Sequence, residues 1–83
     1  MDKVRIRRQN IKSKVRQIDI IIGYYASHIE KISDKIGEVT DNKVTVTRGL
    51  INSRRLRMRE LIEERDLLEE LCFNDEKLSN YVI

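Results

Sequence analysis

Residues 11–39 read IKSKVRQIDIIIGYYASHIEKISDKIGEV, and one apolar stripe runs through them: Ile11, Val15, Ile18, Ile22, Tyr25, Ile29, Ile32, Ile36 and Val39. The intervals alternate between four and three without a slip. Such a repeat keeps one side of a supercoiled α-helix against a partner helix. The stripe predicts a long first helix from about residue 4 to 39, about 50 Å at roughly 1.5 Å per residue.

After the stripe, Gly37 and Thr40-Asp41-Asn42-Lys43 supply a break, since Asp and Asn side chains satisfy nearby backbone groups in turns. Val44-Thr45-Val46-Thr47 alternates and is β-branched, but no second strand is evident to pair with it. It reads as extended linker or a weak first turn, so that residues 40–47 connect two helices. Thr47 is placed to cap a second helix from about 48 to 73. Continuing the repeat there gives Ile51, Arg54, Met58, Leu61, Arg65, Leu68 and Cys72, a stripe broken by two arginines. The tail, 74–83, carries Leu78, Tyr81, Val82 and Ile83, enough for a short helical turn that folds back.

Charge sets the direction of pairing. Residues 1–16 hold seven cations against Asp2, whereas residues 60–83 hold eight acids against Arg65 and Lys77. An antiparallel hairpin brings these ends together, and a parallel pair would separate them. Each exposed pair contributes only about 0.2–1 kcal/mol, so the charges select orientation more than they stabilise. The expected fold is all-α: one domain over 1–83, an antiparallel two-helix hairpin of coiled-coil type.

The hairpin leaves apolar surface over. Around Ile20-Ile21-Ile22-Gly23-Tyr24-Tyr25-Ala26 nearly every direction is apolar. Burying each isoleucine contributes about 1.5–3 kcal/mol, and a chain this short builds only a small core alone. A homodimer forming an antiparallel four-helix bundle is therefore expected, with Ile20, Ile21, Gly23 and Tyr24 at the interface. Glycine inside a helix costs about 1 kcal/mol relative to alanine, which suits a point of close helix approach. The alternative is that the tail covers the patch.

Composition bounds the function. The 83 residues hold no proline or tryptophan and three glycines, with 37% charged and 40% hydrophobic residues. No run approaches the roughly 20 apolar residues of a membrane span, and no apolar segment follows the basic start as a signal peptide requires. The single cysteine, Cys72, has no partner for an internal disulfide, which fits a cytoplasmic, reducing setting with a buried thiol. One histidine, His28, and no close His or Cys pair leave no metal-ligand spacing. No phosphate loop or nucleophile elbow is present. No cofactor and no small-molecule substrate are expected.

The stretch Glu64-Arg65-Asp66-Leu67-Leu68-Glu69-Glu70-Leu71, with Gln17-Ile18-Asp19 upstream, resembles the helical chorismate mutases. The resemblance implies a helical fold. It departs from that family where catalysis resides. The family's mid-helix arginine falls at His28-Ile29 here, its first-helix arginine at Lys12 and its later lysine around Glu38, and the third helix is missing. No catalytic residue carries over, and the chain is expected not to be an enzyme.

Basic side chains are the remaining candidates. Arg5, Arg8, Lys12 and Arg16 form one stripe of the first helix, and Arg55 and Arg59 a shorter one on the second. With Lys3 and Arg7, these are the candidate partner-binding residues. The arm Lys3, Arg5, Arg7 and Arg8, lying before Ile11, is expected to hold the least committed charges, so that removing residues 1–8 would leave the fold intact. The expected role is a non-enzymatic interaction or oligomerisation module that engages another protein. The alternative is a dimeric regulator gripping DNA or RNA through its basic stripes.

Overall fold

The computed structural model describes residues 3–80. Helix α1 spans Lys3–Ile32, α2 spans Arg48–Cys72 and the short α3 spans Asp75–Asn80. The two long helices pack together, antiparallel, in a rod 55 × 18 × 17 Å.

The stripe is the seam. Ile11, Ile18, Ile29 and Ile32 are buried, with Val15, Ile22 and Tyr25 half-buried between them. Opposite them Ile51, Leu61, Leu68 and Cys72 are buried, and Arg54, Met58 and Arg65 are half-buried, so the 3,4 register also holds in α2. The core divides in two. Ile11, Ile18, Leu61, Leu68, Cys72 and Leu78 fill the end near α3, and Ile29, Ile32, Val46 and Ile51 fill the end near the loop.

Helix α1 stops at Ile32, well short of Val39. The backbone N–H and hydroxyl of Ser33 both donate to the carbonyl of Ile29, closing the last turn. The chain then reverses through Gly37, whose φ of +93° is accessible to glycine and strained for other residues. The repeat continues in the sequence through Ile36 and Val39, but α1 has already ended, and both side chains are exposed.

The β-branched run 44–47, expected as an unpaired linker, does find a partner. Gly37 N–H donates to Val46 O and Val46 N–H to Glu38 O, each at 2.8 Å, and Thr40 N–H donates to Val44 O at 2.9 Å. Val39 and Thr45 form an antiparallel bridge around a turn at Lys43, whose φ is 61°. Extended backbone suits β-branched side chains, and this miniature hairpin swings Val46, 1% exposed, under the loop end of the helices. Thr47 then caps α2: its Oγ1 accepts from Leu50 N–H at 3.0 Å.

At the other end Asn74 Oδ1 accepts from Lys77 N–H at 3.0 Å, starting α3, and Leu78 seats fully buried against Ile11 and Cys72. The tail thus folds back over Asp75–Asn80 as a short helix on the basic end of α1, while Tyr81, Val82 and Ile83 lie outside the described residues.

Candidate interaction surfaces

Helix α1 carries its apolar surplus on the outside. Ile20, Ile21 and Tyr24 are 56%, 42% and 72% exposed. Helix α3 packs against the first turns of α1, two to three turns away, and leaves this face uncovered. Leu67 on α2, 67% exposed, adds to the uncovered apolar surface. Gly23 has open space where a Cβ would stand, so no part of the hairpin approaches it closely. At roughly 100° per residue it lies about 160° around the helix from Ile21, with Ile20 and Tyr24 between the two.

Ile21, Tyr24 and His28 recur at i, i+3 and i+7 along one flank of the seam. Between that flank and α2 lies a shallow cavity lined by Tyr24, Tyr25, His28 and Arg54. Arg54 is a seam residue, half-buried, and its Nε is wholly buried with no hydrogen-bond partner. It makes no ion pair with any described residue. A buried N–H donor without a partner costs about 1–3 kcal/mol.

Arg65, the other seam arginine, differs. Its Nη1 donates to Asp19 at 3.0 Å across the helix pair, and Nη2 donates to Asp66 at 3.1 Å. The bond to Asp19, then that to Asp66, holds the guanidinium above its ordinary value, so it stays charged at any working pH. Asp19 and Arg65 both lie in the segments that resemble the chorismate mutases, and here they bind each other.

The basic arm is more committed than expected. Arg8 Nε donates to Cys72 O at 3.0 Å, and its Nη2 pairs with Asp75. Arg7 Nη1 donates to Leu78 O at 2.9 Å and to Ser79 O at 2.6 Å. These carbonyls end α2 and α3, where helices lack internal partners. Arg7 and Arg8 therefore act as C-terminal caps supplied by a different helix. The Cys72 thiol, buried beside them, donates to Arg8 O at 3.7 Å. Lys3 and Arg5 are exposed on the same first turns.

The remaining cations lie in two shallow grooves on the flank opposite Ile21 and His28. Lys12 and Arg16 line one with Asp19, Glu69 and the 85%-exposed Phe73. Arg55 and Arg59 line the other with Glu30, Asp34, Met58 and Ile62. The structure brings both stripes to one side of the rod but at opposite ends, each beside acids. None of these four cations forms an ion pair with a described residue.

Arg54 and its cavity did not emerge from motif reasoning, although the signal was there: an arginine standing in an apolar seam. Among the described residues no group of His, Cys, Asp or Glu is arranged to hold a metal ion, and no helix is long and apolar enough to cross a membrane. No protein-family model, curated protein or solved structure matches the chain.

Proposed function

We propose that the chain is a small, non-enzymatic helical module that self-associates through the uncovered face of α1 and engages a macromolecular partner, foremost another protein. The observation that carries this reading is the exposure of Ile20, Ile21 and Tyr24, with no described element of the chain placed over them. Side chains of this size favour burial by about 1.5–3 kcal/mol each, and a second hairpin is the simplest cover, giving a four-helix bundle. Ile21 and Tyr24 stand at the centre of that face and Ile20 at its edge. Sedimentation equilibrium tests it: wild-type protein at tens of micromolar sediments at twice the 9.9 kDa chain mass, and Ile21→Glu shifts it toward monomer. Leu56→Glu, which changes an exposed leucine on the outer side of α2, leaves the mass unchanged. A monomeric wild type overturns the reading.

The absence of ion pairs between Lys12, Arg16, Arg55 or Arg59 and any described residue favours a second reading, binding of a nucleic-acid backbone. Electrophoretic mobility of labelled duplex DNA and RNA decides it. Salt-sensitive retardation lost in Arg55→Ala plus Arg59→Ala supports it, and no retardation at micromolar protein in low salt removes it.

A further inference from the structure

We infer that a second copy of the chain supplies the missing counter-ion of Arg54, and that this counter-ion is Glu64 of that copy. The inference rests on the self-association reading and names the contact that orients it.

On α2, Arg57, Glu60 and Glu64 follow at i, i+3 and i+7 and so share a flank, the one that borders Ile21, Tyr24 and His28 of α1. Read with Arg54, the charge order along that flank is positive, positive, negative, negative. Such a strip complements itself when a copy is turned end for end. The Asp19–Arg65 pair fixes the register of the hairpin. Six residues on along α1 and six back along the antiparallel α2, Arg59 stands level with Tyr25, next to the 72%-exposed Tyr24. Arg54 and Glu64 lie five residues to either side of that level, about 7.5 Å each. A two-fold axis there sets Arg54 of each copy against Glu64 of the other. Arg57 of each copy then lies within about one residue's rise of the level of Glu60 of the other. An isologous interface requires this reciprocity, and a parallel arrangement would place Arg54 against Arg54.

The chemistry at both ends fits. Arg54 has no ion pair with a described residue, and the shallow cavity beside it is walled by Tyr24, Tyr25 and His28. A guanidinium fork at the edge of such a cavity suits a carboxylate from outside the chain. Glu64 is exposed and pairs with no described residue, whereas Glu60 is held by Arg57 at 3.2 Å within the helix.

Charge reversal tests the pairing, with sedimentation equilibrium as the readout and far-UV circular dichroism to verify folding. Arg54→Glu and Glu64→Arg each weaken the dimer by about thirtyfold or more, and the double variant restores it to within a few-fold of wild type. Arg54→Met removes the charge without reversing it, so it weakens the dimer while keeping the helical content should Arg54→Glu fail to fold. A dimer in which the two reversals are merely additive, or one untouched by Arg54→Met, overturns the pairing and leaves self-association standing. A monomeric wild type overturns both. A saturable shift of the Arg54 side-chain nitrogen resonances on adding inorganic phosphate to the wild-type dimer would make a free anion the occupant, and would also overturn it.

Discussion

Arg54 and Arg65 occupy equivalent places in the apolar stripe of α2, yet among the described residues Arg65 finds ion-pair partners and Arg54 finds none. Reading residue by residue, the buried positions were legible: the side chains that recur at three and four are those the helix pair removes from water. Ile29, 7% exposed, sits in the loop-side core with Ile32, Val46 and Ile51, and its neighbour His28 is exposed on the flank. Ile29→Ala is expected to cost about 2–5 kcal/mol in urea unfolding, as buried large-to-small changes do, and His28→Ala much less. Equal losses at the two positions would mean the seam is misregistered. The capping arginines were not legible. Arg7 and Arg8 serve backbone carbonyls of α2 and α3, and a carbonyl leaves no mark in a sequence, so both looked like uncommitted charges.

Among the elements, the start of α2 was marked by Thr47 and the end of α1 was not. The heptad runs on through Ile36 and Val39, and only the third dimension shows that the chain has left the helix there and that both side chains stay exposed. The competing preference of Val44, Thr45 and Val46 for extended backbone won locally, because the paired loop also delivers Val46 to the core. At the opposite end, α3 depends on the arm. Removing the two side chains in Arg7→Ala plus Arg8→Ala deletes hydrogen bonds to the ends of two helices. Allowing for their partial exposure, the loss is about 1 kcal/mol per arginine. With α3 loosened, the thiol of Cys72, 4% exposed and packed beside Leu78, is expected to react faster with a maleimide. Unchanged labelling would mean that α3 holds its place without the arginines. Deletion of residues 1–8 is accordingly expected to disturb the fold, contrary to what the charge pattern alone suggested.

At the scale of the whole molecule, one helix pair, a turn and a short fold-back bury two small clusters and leave Ile20, Ile21, Tyr24 and Leu67 exposed. The antiparallel hairpin was legible because opposite charges stand at opposite ends of the chain and the apolar repeat runs through both helices. The surplus was legible too, from the density of isoleucine around Gly23. Which flank carries it was not, since that depends on where α2 lies. Small-angle X-ray scattering on the wild-type protein tests self-association most directly, because forward scattering reports mass while the profile reports length. Side-by-side hairpins give twice the 9.9 kDa chain mass with a long dimension close to the 55 Å of one hairpin. A mass of one chain, with a radius of gyration near 17.3 Å at every concentration measured, would contradict it.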